Sequence, residues 1–404
     1  MQPIPCTVRF PVARRIASVL GITCALAGPP PAAAEPLPAA DQQMFWPVEQ
    51  KPTGFRNLAR IYVTDRVPRG AHALPLPKAP RELAVGFDLD GTHYDVARFI
   101  EHNHVAGLLV LRRGRIVLER YSLGQSASDL WASFSVAKSV MSTLLGAAIK
   151  DGRIGGLDEP VTRYIPELAS SAYQGVTIRQ ALTMSVGVRW NEDYKDPDSD
   201  FLHVRSLAIP GDTRPGVDIV DYLAHVPRVA APGTVFHYNS GNAELLGVLV
   251  ARATGKQLSS YLSEKIWSKV GMEADARWVR DRFGRTFGSS LLSATLRDYG
   301  RFGYFFMHGA KVGGVSIVPD GWVEDASRAH LPTDWGHVSY GYQWWINPDG
   351  SYRAVGVFGQ MIFLDPKRDL VIVTNSAWPE ADWDPGYDAV DAFNAAVQAK
   401  FQPR

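Results

Sequence analysis

The sequence predicts an α+β protein: an antiparallel sheet flanked by helices, carrying an inserted all-helical lobe. Three observations predict it. A hairpin pattern comes early, helical periodicity fills the middle, and short β-rich runs followed by one helix close the chain. The late strands are expected to rejoin the early hairpin in one sheet. The helical stretch then becomes an insertion, and chemistry is expected in the cleft between the two parts.

The elements follow in order. Residues 1–34 read as a signal peptide, with Arg9, Arg14 and Arg15 as basic region, Ile16 to Ala27 as apolar core and Ala32-Ala33-Ala34 as small-residue cleavage site. Lipid attachment at Cys24 is an alternative, against which Gly21-Ile22-Thr23 is a poor lipobox, and an uncleaved anchor is another. Export to the periplasm or medium with cleavage before Glu35 is the expectation, with no stable membrane anchor. Both cysteines of the chain, Cys6 and Cys24, fall in the segment to be removed, which excludes a thiol nucleophile and a disulfide from the mature protein. Residues 35–95 are proline-punctuated at Pro68, Pro75, Pro77 and Pro80 and read as an arm. Ala106 to Tyr121 reads as the hairpin, turning at Arg112-Arg113-Gly114-Arg115.

A helix is expected over Val136–Lys150, stopped by Gly152, and others over Thr177–Met184, Ala243–Thr254, Leu258–Val270 and Ala294–Met307. Strands follow at Tyr340–Ile346, Tyr352–Val357, Met361–Leu364 and Leu370–Thr374, and a last helix at about Ala389–Phe401. The expected division is an α/β lobe from 96–134 and 296–404 around a helical lobe at 135–295.

Composition narrows the function. With 42 basic and 41 acidic residues the chain lacks the basic excess of a nucleic-acid binder. Glu101-His102-Asn103-His104 has no third spaced ligand, so it reads as a strand start and no metal or organic cofactor is expected.

Ser135-Val136-Ala137-Lys138 carries the chemistry. The i, i+3 spacing puts hydroxyl and amine on one helix face, at the positive end of the helix dipole. That field favours an alkoxide and disfavours a charged lysine, so Lys138 is suited to take the serine proton. The bland reading is an N-cap serine beside a solvated lysine.

Trp131-Ala132-Ser133-Phe134-Ser135-Val136-Ala137-Lys138-Ser139 resembles the nucleophile motif of class C β-lactamases and their relatives, which include family VIII carboxylesterases, D-aminopeptidases and 6-aminohexanoate-dimer hydrolases. The resemblance implies a β-lactamase/D,D-peptidase-like fold. It extends to Phe236-His237-Tyr238-Asn239-Ser240-Gly241-Asn242, similar to a Tyr-x-Asn motif with Ser240 in place of the asparagine. It implies that Tyr238 shuttles the proton of the leaving group and that Ser240 and Asn242 face substrate. On the late strand, Arg353-Ala354-Val355-Gly356-Val357 stands where β-lactamases carry Lys-Thr-Gly. The resemblance implies an oxyanion hole from the Ser135 and Val357 N–H groups, with Gly356 letting the backbone approach substrate. Ala354 in place of lysine removes the cation that grips a β-lactam carboxylate.

Two further stretches resemble the 6-aminohexanoate-dimer hydrolase branch: Phe55-Arg56-Asn57-Leu58-Ala59-Arg60-Ile61, and Ser185 to Tyr194 with its acidic continuation. In that branch a tyrosine at the Tyr194 position closes over the substrate. The position of its ammonium-binding acid falls on His203-Val204-Arg205, leaving Asp198 or Asp200 for that contact. The expected activity is hydrolysis of linear amides or esters through an acyl-enzyme on Ser135. A short-chain carboxylesterase, a weak β-lactamase and an exported penicillin-sensor-like binding protein are the alternatives. The expected partner is a small amide or ester, and oligomeric state is open.

Overall fold

A computed structural model describes residues 1–2, 36–212 and 217–403. The segment read as a signal peptide, with Cys6, Cys24 and Glu35, lies outside the described residues. Leu37–Arg404 forms one compact unit.

Its largest sheet has eight antiparallel strands, and the late strands do rejoin the early hairpin. Leu370–Ser376 pairs with Val105–Arg112, placing Ile372 opposite Val110, and Arg115–Tyr121 completes that edge. Val105–Leu111 and Leu370–Ser376 are buried throughout, so this pair is central and covered on both faces. The helix Leu296–Met307 lies on the sheet through two glycines. A Cβ at Gly303 would stand 2.8 Å from Ile362, so glycine sets the helix–sheet distance. The closing helix Asp384–Ala399 covers the sheet with Phe393 stacked 4.3 Å from Phe99. It starts five residues before the expected Ala389 because Pro385 opens its first turn.

Three local differences from the sequence reading bear on the site. The expected strand Tyr340–Ile346 is two short strands, Ser339–Tyr340 and Trp345–Ile346. Gln343 breaks it with φ +64, and the freed carbonyls of Tyr342 and Gln343 accept from Ser142 Oγ (2.8 Å) and Ser139 Oγ (2.6 Å). The break therefore docks the helix Val136–Lys150. The stretch 135–295 is helical only to Val270; Ala276–Val279 and Leu292–Ala294 are strands. They form a second sheet with Trp131–Ala132 and with Thr64–Val67 of the arm. Runs of three or four residues show no periodicity until their partner is located. Lastly, Glu101 and His102 end the helix Val96–His102 rather than start a strand. His102 packs on Tyr94, and both His102 and His104 lie against Trp383, as apolar-facing rings.

The arm holds helical turns at Ala40–Phe45, Lys51–Arg56 and Leu58–Ile61. Buried Arg205 ties it down, donating to Tyr62 Oη at 2.8 Å and to Gln43.

Candidate active site

The helix Val136–Lys150 is buried from Val136 to Ala148, so a lysine three residues into it is inevitably enclosed. Ser135 stands at its N-terminus but makes no side-chain cap bond, which removes the bland reading of this serine. Instead Lys138 Nζ donates to Ser135 Oγ at 2.9 Å, to Ser240 Oγ at 3.0 Å and to the Ser289 carbonyl at 3.0 Å. Burial pulls the Lys138 ammonium down to about 8, against the pull of Glu192 and Glu244, which favour its charge.

The polarity of these three bonds decides what the amine can do. Ser240 commits its own O–H to Glu192, so toward Lys138 it only accepts. The Ser289 carbonyl also only accepts. When Lys138 loses a proton, its two remaining N–H groups stay with those acceptors. Its lone pair is left facing Ser135 Oγ, the geometry for abstracting the serine proton.

Tyr238 lies just before the helix Ser240–Thr254, which starts at Ser240 because Asn239 Oδ1 caps the N–H of Asn242 at 2.9 Å. Its ring stacks on Trp345 at 5.6 Å, and its hydroxyl is hydrogen-bonded to Ser135. Burial, with the charge of Glu192 beside it, raises the Tyr238 hydroxyl above its ordinary value, the Ser135 bond opposing. A phenol so placed keeps its proton and is suited to donate it.

The oxyanion pair is supported by backbone shape. Among the described residues neither the Ser135 nor the Val357 N–H donates to a backbone carbonyl. A Cβ on Gly356 would stand 2.4 Å from the Ser133 carbonyl and 3.0 Å from the Ser135 nitrogen. Gly356 thus brings the strand end against the nucleophile turn, where it was expected to approach substrate. The residues flanking the two donors, Phe134 and Phe358, are left-handed at φ +44 and +63. For phenylalanine each costs of order 1–3 kcal/mol, a strain typical of sites held by their surroundings. Gly356→Ala is expected to cut kcat by at least about 100-fold, the loss of one oxyanion donor. Single-turnover rates on an ester measure it, and a wild-type rate would remove the donor pair from the site.

A cavity of about 370 Å³ opens over Ser135, lined also by Glu192, Tyr194, Tyr238, Trp345, Val357 and Asp382. Tyr194 is in the cleft as expected, packed on Phe201 at 4.8 Å. Trp345 faces the cleft while Trp344 stacks in the core on Phe306 at 4.5 Å. Other expectations do not reach it. Asn242 is buried, accepting from Tyr173 Oη at 2.7 Å, and Ser240 is spent between Lys138 and Glu192. Helical geometry explains both: these residues face the core side of a capped helix. Asp200 accepts from the Asn191 N–H at 2.6 Å and from Tyr222, and Asp198 lines a separate cavity with Arg205.

The acids at the cleft are different ones: Glu192, Asp334, Asp382 and Asp384. Burial, with Glu192 and Asp384 beside it, pushes Asp382 up to about 6. Burial also raises Glu192, with the Lys138 charge opposing; its carboxylate accepts from Ser240 N–H at 2.9 Å and from the Trp190 indole. Among the described residues no Lys, Arg or His lines this cleft. Arg353, one residue from the usual cation position, is buried behind Trp335 (5.2 Å) and paired with Asp391. Glu192 belongs to the stretch that carries Tyr194, so its neighbourhood was visible in the sequence. Asp334 and Asp382 sit in loops and Asp384 opens the closing helix, all without a motif.

Comparison with known proteins shows the family and the fold. The Beta-lactamase family model matches residues 95–396. The chain is 34% identical over 344 residues to the 6-aminohexanoate-dimer hydrolase of Paenarthrobacter ureafaciens, covering 81% of this chain and 86% of that protein. A solved Bacillus anthracis structure assigned as a 6-aminohexanoate-dimer hydrolase superposes with TM-score 0.77 at 27% identity, over 86% of this chain and 94% of that one. A family VIII carboxylesterase shares the fold at TM-score 0.54 and 18% identity, covering 74% of this chain and 95% of that one.

Proposed function

The chain belongs to the β-lactamase family, and from that premise we propose that it is an exported serine hydrolase cleaving linear amides or esters of the 6-aminohexanoate-oligomer type. The observation that carries the mechanism is the bond polarity at Lys138, whose lone pair has Ser135 as its one proton donor. Neutral Lys138 takes the Ser135 proton as the serine oxygen bonds to the substrate carbonyl. The oxyanion accepts from the Ser135 and Val357 N–H groups. Tyr238 gives its proton to the departing amine or alkoxide as that bond breaks, and the Lys138 ammonium returns one to it. Water then attacks the ester on Ser135, its proton passing to the neutral Lys138, and the Lys138 ammonium returns that proton to the serine oxygen as the acyl bond breaks.

The substrate class rests on the cleft's charge. Four carboxylates, aromatic walls and, among the described residues, no lining cation favour a chain ending in an ammonium group over one ending in a carboxylate. The p-nitrophenyl ester of 6-aminohexanoate is expected to exceed that of adipic acid mono-ester in kcat/KM by at least about tenfold, with the gap narrowing at high salt. Equal values for the two would defeat the charge argument. Export is supported by the basic, apolar and small-residue succession of residues 1–34 and by a compact unit that begins at Leu37.

The deciding experiment is hydrolysis of the linear 6-aminohexanoate dimer by the chain from Glu35, followed by amine release beside p-nitrophenyl butyrate. Amide cleavage supports the oligomer reading, and ester turnover without it leaves a carboxylesterase.

A further inference from the structure

We propose that Lys51 and Phe55, on the arm helix Lys51–Arg56, are positioning residues that hold the two oxyanion donors together. The inference rests on the reading of Ser135 and Val357 as those donors.

Each donor has a left-handed phenylalanine beside it, Phe134 before Ser135 and Phe358 after Val357. Such backbones persist only where neighbouring contacts over-determine them. The two rings pack on each other at 5.3 Å. Phe55 closes the cluster, edge-on to Phe134 at 5.0 Å and tilted on Phe358 at 5.6 Å. One arm residue thus touches both strained turns, which lie more than 200 positions apart in the chain.

Lys51 holds the second turn by ring and by backbone. Its Nζ stands 4.6 Å from the Phe358 ring centroid, a cation–π contact, and donates to the Trp378 carbonyl at 2.8 Å and to that of Pro379. The same segment grips the Phe358 backbone, since Phe358 N–H donates to Ala381 O at 2.9 Å and Trp378 N–H to Phe358 O at 3.3 Å. Lys51 is only 1% exposed, and among the described residues its contacts go to two carbonyls and a ring face. Burial draws its ammonium down to about 8, with Glu380 and Glu49 opposing, so the charge is kept at neutral pH. A buried cation is an expensive way to fill space that methionine could fill. Its direction onto the oxyanion turn accounts for it.

The test uses the full chain, p-nitrophenyl butyrate, and sites counted by fluorophosphonate labelling. Lys51→Met is expected to lower kcat per labelled site by about 10- to 100-fold with KM within about twofold, and to slow labelling in parallel. Lys51→Arg, which keeps charge and donors, is expected to restore kcat to within about threefold. A wild-type kcat in Lys51→Met, or a change in KM alone, overturns the proposal. Should that variant fail to fold, Phe55→Leu decides with the same readout, and an unchanged kcat overturns it. Ester turnover retained by Ser135→Ala would instead sink the parent reading, a result separate from these.

Discussion

Ser135→Ala is expected to lose turnover by at least about 10⁴-fold while the protein stays folded. No neighbouring group can take over. Ser240 has its proton committed to Glu192, and the hydroxyls of Ser139 and Ser142 donate to the carbonyls of Gln343 and Tyr342. Stability should hardly change, because Ser135 caps nothing and its hydroxyl serves only the lysine and tyrosine. Intact-mass analysis after fluorophosphonate treatment provides the check. One added increment on the wild type and none on the variant is the expected pair. A labelled or active variant would move the nucleophile elsewhere.

Replacing Lys138 by methionine should cost about 10³- to 10⁴-fold in kcat/KM, the loss of a general base acting on a weak nucleophile. The wild type is expected to carry the signature of that base in its pH profile. Lys138 is the base only when neutral, and burial places its ammonium at about 8. Activity should therefore rise with pH, reach half its plateau near pH 8, and stand at about a tenth of the plateau one unit lower. Because kcat/KM reports the free enzyme, it is the quantity to follow. Glu192 supplies an internal control. Its negative charge holds the proton on Lys138, so Glu192→Gln should move the rising limb to lower pH. A limb that stays put or moves up would remove Lys138 from the titration.

Much of this was legible because it is local. The helix at Val136–Lys150 was readable from apolar spacing and a stopping glycine, and serine and lysine three apart on one helix must share a face. The hairpin at 105–121 and the late strands were readable from alternation and turn residues. Tyr238 could be placed at a helix start, but the resemblance that marked it also implied that Asn242 faces substrate. The structure buries it, its side chain accepting from Tyr173 within the first turn of the helix that Asn239 caps.

Cleft charge was less legible. Asp334 comes from one loop and Asp382 and Asp384 from the entry to the closing helix, and no spacing rule links them to Ser135. Asp198 and Asp200 were nearer in sequence and equally acidic, yet Asp200 accepts from the Asn191 N–H and Asp198 lines a different cavity.

The sequence by itself determined that Ser135 and Lys138 share one helix face, and the order of elements, since these depend on residues within a few turns of one another. Only the tertiary structure decided which acids face the substrate, which partners fix the direction of the proton, and that the arm at Lys51 and Phe55 meets Phe134 and Phe358. Those contacts join positions far apart in the chain, and they arise from packing and burial, which spacing along the chain does not record.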